Sequence, residues 1–173
     1  MDMQLQPIGY VSSEISKPAM RADAEGLTLE QRIDEIREAH RRTRATVCTV
    51  EIEPQFEDLL LGVEEFSHVL VLYWPHLAKP GSRELRRVHP MGRQEIPERG
   101  IFATCSPARP NPVLLSAVRL LKREGTVLTI QGLEAVDGSP VIDIKPYNPT
   151  YYRVDAPTLP DWMERIRAEL AAG

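Results

Sequence analysis

The chain has little of what would mark several large protein classes. It holds two cysteines, Cys48 and Cys105, among 173 residues and no CxxC pair. That excludes a disulfide scaffold and a cysteine-ligated zinc or redox site. The longest apolar run is Val69–Trp74, far short of the roughly 20 residues of a membrane span. The start, MDMQLQPIGY, has neither a basic nor an apolar leader region, so the expectation is a soluble, cytoplasmic protein with no membrane partner. No GxGxxG and no alternation of strand and helix patterns occur, which leaves a Rossmann-type cofactor domain without support. His40, His68, His76 and His89 lack helical i, i+4 spacing and cysteine partners, so they read as structural or solvated residues and no metal is expected. Nor is there an excess of basic charge: 21 Lys and Arg against 25 Asp and Glu give a net −4. A globally basic nucleic-acid coat is excluded, while a local basic groove is not.

What is present suits an ordinary globular chain, 42% hydrophobic and 27% charged, and its length suits one domain spanning 1–173. Proline is abundant, 15 in all, with twelve between Pro75 and Pro160. That half is therefore built from short extended pieces and turns. Strands are expected at 7–13, 45–53, 66–74, 101–104, 113–121, 126–132 and 140–145, with tight turns at Glu124-Gly125 and Asp137-Gly138. The pattern predicts a mainly β, antiparallel, barrel-like domain with a few peripheral helices. A surface helix over 28–43 starts from a capping box, Thr28 to Gln31, and carries the stripe Leu29, Ile33, Ile36 and His40. A short helix around Phe56 and Leu59–Leu61 ends at Gly62. The tail 153–173 carries a docking helix with Trp162, Ile166 and Leu170 on one face.

Three stretches hold the candidate chemistry. Residues 75–99 carry Lys79, Arg83, Arg86, Arg87, Arg93 and Arg99 against Glu84, Glu95 and Glu98, a local charge of 6 − 3 = +3. Such a stretch is either a solvated loop or a mobile basic flap over an anionic substrate. Residues 100–112, GIFATCSPARPNP, hold three prolines and form a stiff loop that loses little entropy on binding. Cys105 within it reads as a small packing residue, since nothing marks an activating histidine. In DGSPVIDIKPY, 137–147, strand alternation puts Ile142 and Ile144 on one side and Val141, Asp143 and Lys145 on the other. The last two are either a structural ion pair or part of a site.

FATCSPARPNP followed by VDGSPVIDIKPYNP resembles the paired signature of the TrmO/YaeB family, with Cys105 standing where arginine is usual. PIGYVSS near the start and GVEEFSHVLVLYWPH at 62–76 match in the same order, so the likeness covers roughly 6–152. It implies a compact non-Rossmann β-barrel, a homodimer, S-adenosylmethionine as methyl donor, and methylation of N6-threonylcarbamoyladenosine in the tRNA anticodon loop. Carried onto this chain, it implies a cofactor pocket drawn from Phe102, Ala103, Thr104, Ser106, Arg109, Asn111, Leu115, Ser116, Val136 and Tyr147. Phe102, Leu115, Val136 and Tyr147 would supply an apolar slot, Ser106, Asn111 and Ser116 hydrogen bonds, and Arg109 and Lys145 a partner for an anion. Asp143, Lys145 and Tyr147 are the candidate catalytic group, with Asp143 as base. Arg83, Arg86, Arg87, Arg93 and Arg99 are the candidate contacts to RNA phosphates. Two other readings stand beside this one: methylation of a small molecule, and a cofactor-binding module without chemistry.

Overall fold

The computed structural model describes residues 4–18 and 29–171. Six strands close into an antiparallel barrel, in the order β1 (Gly9–Ser12), β2 (Val47–Ile52), β7 (Val127–Gln131), β6 (Leu114–Glu124), β3 (His68–Tyr73) and β8 (Pro140–Pro146). The expected mainly β barrel is what forms. Its interior holds β-branched and leucine side chains such as Val50, Val69, Val71, Val118, Leu128 and Ile130, all at most 1% exposed. These residues favour the pleated backbone because their side chains pack well across neighbouring strands. Gly125, at φ 58°, takes the backbone through the tight turn between β6 and β7, a conformation side-chain-bearing residues resist.

The barrel closes where β8 pairs with both β1 and β3. At the seam, β1 runs so close to β2 that a Cβ on Gly9 would lie 2.2 Å from the Glu51 carbonyl oxygen. Only glycine fits there. β8 also departs from plain alternation. Tyr73 pairs with Val141 whereas Leu72 pairs with Asp143, so β8 carries an extra residue opposite β3. This bulge corrects the expectation for 140–145: Val141, 0% exposed, and Ile144 both pack on the core, while Asp143 and Lys145 share the outer face. A bulge re-aims side chains in this way.

Outside the barrel lie α1 (Leu29–Ala45), a single-turn α2 (Pro149–Tyr152) and α3 (Asp161–Ala171). The capping residue proposed for α1, Thr28, lies outside the described residues. The short helix near Phe56 is a 3-10 segment over Pro54–Leu60, and 101–104, expected as a strand, turns as a 3-10 segment over Ile101–Ala103. The strand pairing nearby goes instead to β4 (Arg87–Val88) and β5 (Arg99–Gly100), a two-stranded ribbon inside the basic stretch.

The docking of that stretch overturns one expected site residue. Arg93 is 2% exposed, with its guanidinium paired to Glu95 and to Glu169 on α3. It is a structural anchor and has no donor face left for an RNA phosphate. The bond from Arg93 holds the Glu169 carboxyl below its ordinary range. Burial works against the Glu95 carboxyl, but the bond from Arg93 still leaves it lowered. A lowered carboxylate pKa adds stability above the ordinary value of 4.5 that is lost as pH falls through the folded-state value. Replacing Arg93 by Ala leaves two carboxylates against a cavity. Breaking a buried pair costs about 3–5 kcal/mol, and partial solvation of both acids places this one near about 3. A drop of roughly 6–12 °C in Tm at neutral pH is expected, shrinking toward pH 3. A Tm within about 2 °C of the parent at neutral pH would contradict the anchoring role.

Candidate functional site

Three neighbouring strands, β8, β3 and β6, carry the outer face that holds Asp143. Leu72 of β3 is the rung partner of Asp143 on one side and of Leu115 on the other. With strands about 4.8 Å apart, Asp143 and Leu115 sit roughly 10 Å from each other on one face. Lys145, two residues on, donates to Asp143 Oδ2 at 2.6 Å, and the amide of Ile144 donates to Asp143 Oδ1 at 2.9 Å. The hydrogen bond to Asp143, reinforced by its charge, raises the Lys145 ammonium pKa, so Lys145 stays charged at neutral pH. Both side chains are about half exposed, 42% and 50%. They are reachable from solvent and do not plug the barrel. Tyr147 follows and stacks on Tyr152 of α2, centroids 6.0 Å apart, so the polar pair is bordered by an aromatic shelf.

The loop before β6 is ordered by its own polar side chains. Thr104 Oγ1 donates to the Ile101 carbonyl and accepts from the Ser106 amide; Ser106 Oγ accepts from the Ala108 amide; Arg109 Nη1 reaches the Thr104 carbonyl at 3.4 Å. Thr104, Ser106 and Arg109, expected to contact a ligand, are thus occupied in shaping the loop. Cys105 is exposed and is not the packing residue expected. The loop holds Phe102 outward, 80% exposed, and Leu115 at the start of β6 is 59% exposed.

Phe102 and Ala103 border a cavity of about 680 Å³ with Leu85, Ile101 and Pro110, and Arg83, Glu84 and Arg86 close its other side. Arg83 also lies over the Trp74 ring at 5.0 Å, and Arg99 over Trp162 at 5.6 Å. Arg86 and Arg87 are exposed. A second cleft, about 480 Å³, lies where β6 parts from β7 and is lined by Ser116, Ala117, Gly132 and Glu134 with residues of α1 and β3. Of the expected cofactor residues, then, Phe102 and Ala103 share one cavity and Ser116 lines the other. Leu115 is separated from Asp143 by Leu72, while Asn111 and Val136 line neither cavity. Leu85, Glu84 and Glu134 were missed in the sequence, where nothing separates them from solvated loop residues. Among the described residues no group of three or more His, Cys, Asp or Glu could hold a metal ion, and no helix is long and apolar enough to cross a membrane.

Comparison with known proteins matches residues 32–153 to the model of the tRNA-methyltransferase O N-terminal domain. The chain belongs to that family. It is 42% identical over 147 residues to a "Probable S-adenosyl-L-methionine-binding protein" of Methanothermobacter thermautotrophicus, spanning 85% of this chain and 91% of that one. It is 36% identical over 113 residues to a mouse tRNA (adenine(37)-N6)-methyltransferase, spanning 65% of this chain and 26% of that protein. The crystal structure of TrmO from Pseudomonas aeruginosa superposes with a TM-score of 0.65 at 28% identity, covering 99% of this chain and 80% of that one. The expected family and barrel are therefore right.

The thiols report directly on this architecture. Burial in the barrel pushes the Cys48 pKa up to about 11, whereas Cys105 stands exposed in the signature loop. Iodoacetamide at about pH 8 should modify one thiol of the native protein, Cys105, and reach Cys48 only after unfolding. Comparable labelling rates at the two positions would contradict the description.

Proposed function

We propose that the protein is an S-adenosylmethionine-dependent methyltransferase acting on N6 of an adenosine in the tRNA anticodon loop, with N6-threonylcarbamoyladenosine as the acceptor. Family membership and the S-adenosylmethionine-binding and tRNA-methyltransferase relatives support the activity and the cofactor. The observation that carries the reading to this chain's residues is that Leu72 pairs on one side with Asp143 of the second signature block and on the other with Leu115, three residues past the first.

The residues lining the Phe102 cavity fit the cofactor. The Phe102 cavity is of ligand size, within the roughly 300–1,000 Å³ common for small-molecule sites. Phe102 offers a π-face to a sulfonium or an adenine, Leu85, Ile101 and Pro110 an apolar wall, Arg86 a counter-charge for a carboxylate, and Glu84 one for an ammonium. When bound, the cofactor supplies an electrophilic methyl group on a positively charged sulfur. The protein's own part is positioning and proton handling. The acceptor nitrogen is a poor nucleophile, because its lone pair is delocalised into the urea and the purine. In this reading Asp143 takes its proton. Lys145 and the Ile144 amide fix the carboxylate's direction on the outer face. Tyr147 and Tyr152 give a flat apolar border suited to an unstacked base. Arg87, with Arg83 and Arg99 on its flanks, supplies the phosphate contacts. The same reading includes a homodimer in the cytoplasm: a second copy would cover Phe102 and Leu115 and complete the face from the other side.

Incubation with methyl-labelled cofactor and tRNA from a strain lacking the cognate methylase tests the assignment. Nucleoside mass spectrometry should show methylated threonylcarbamoyladenosine. Asp143→Ala and Lys145→Ala should lower kcat by about 100-fold or more while leaving the thermal midpoint unchanged. Methylation of a small molecule with none of the RNA, or parental rates in both variants, would overturn it.

A further inference from the structure

The cleft between α1 and β6 gathers two arginines and two histidines against one acid, and nothing in the reading above uses it. Four cationic or titratable side chains converge on it from three elements: His40 and Arg44 from the last turns of α1, His68 from β3, and Arg119 from β6. Arg44 and Arg119 have no ion-pair or hydrogen-bond partner among the described residues. Most other arginines are engaged: Arg37 with Asp34, Arg41 with Glu38, Arg93 with two acids, Arg123 with Glu64. Two arginines without ion-pair partners lining one cavity repel each other, and a shared anion relieves that repulsion.

The main chain of the cleft is open as well. The Leu120 amide donates to the Ser67 carbonyl, so rungs 69–118, 71–116 and 73–114 carry the β3–β6 hydrogen bonds by antiparallel alternation. Leu115 and Ala117 therefore turn their amides away from β3. β7 joins β6 only from Arg119 onward, which leaves those amides without a ladder partner. Beneath the cleft the Tyr73 hydroxyl is buried and makes no hydrogen bond. Ser116 and Glu134, both lining residues, lie beside it without closing a bond of good geometry, and burial holds the phenol protonated. A buried hydroxyl without a partner costs stability, and one under an open polar cleft is a donor held ready for whatever enters. Glu134 is the one acid on the lining, and it is exposed to solvent.

We infer that this cleft binds a phosphate group, specifically a backbone phosphate of the RNA substrate, gripped by Arg44 and Arg119. The inference rests on the tRNA reading. α1 would then hold one phosphate of the RNA while arginines of the 75–99 stretch hold others, and contacts of this kind fix register.

The test uses the full chain, a fluorescent anticodon stem-loop RNA, and inorganic pyrophosphate as competitor. Arg44→Ala/Arg119→Ala should weaken RNA binding about 10-fold and flatten the log–log salt slope by roughly 0.8. Arg42→Ala, on the same helix but outside the cleft, should change neither. Arg44→Lys/Arg119→Lys should recover much of the salt slope, which separates lost charge from lost folding. Pyrophosphate should displace RNA from the parent and lose that effect in the double Ala variant, while cofactor affinity stays within about twofold. Parental RNA affinity and slope in the double Ala variant would overturn the inference and leave the enzymatic reading standing. Loss of cofactor affinity in step with RNA would overturn it too, by making the cleft a cofactor pocket. A parent that binds cofactor and pyrophosphate but no RNA would overturn the tRNA reading and, with it, RNA as the source of the phosphate.

Discussion

Everything on the outer face depends on one seam. The barrel has no free edge there because β8 pairs on one side with β3 and on the other, over only two rungs, with β1. The shortness of that second ladder makes the fit at Gly9 decisive, since any side chain would collide with the Glu51 carbonyl. Further contacts lock the same corner. The Ser13 amide donates to Asp137 Oδ1, and the Gly138 amide to the Val11 carbonyl. The PIGYVSS stretch and the DGSP turn are thus two halves of a single closure. β8 leaves this closure with its direction set, which is why Asp143 and Lys145 emerge on the same face as Leu115.

Much of this was legible in the sequence. Strands rich in valine and isoleucine, bounded by glycine and proline, announced themselves through local preference, and the β6–β7 hairpin followed from its glycine. What the sequence hid was set by distant partners. Alternation along PVIDIK put Val141 with Asp143, because nothing in six residues reveals that β3 opposes them with one residue fewer. Arg93 looked like its neighbours Arg86 and Arg87; its fate is decided by Glu169 on a helix at the other end of the chain.

The candidate site was legible unevenly for the same reason. The signature blocks pointed to the loop before β6 and to β8, yet the contacts within FATCSPARP followed from loop geometry. Thr104, Ser106 and Arg109 direct their polar groups inward, which holds Phe102 out. The polar residues of such a loop shape it, and the apolar one is left exposed. The Arg44–Arg119 cleft drew no attention in the sequence, where the two arginines are 75 positions apart (119 − 44) and only the parting of β6 from β7 brings them together.

The link between Arg93 and Glu169 also orders events during synthesis. The partners are 76 positions apart, so when the 75–99 stretch leaves the ribosome its anchoring arginine has only Glu95 beside it. The barrel strands up to β8 can pair before α3 exists, because none of their ladders needs a residue beyond Pro146. Closure of a loop this long is slow relative to local hairpins. The basic stretch therefore settles last, after the barrel it rests on. A nascent chain halted before α3 would present a finished barrel with its cationic ribbon undocked.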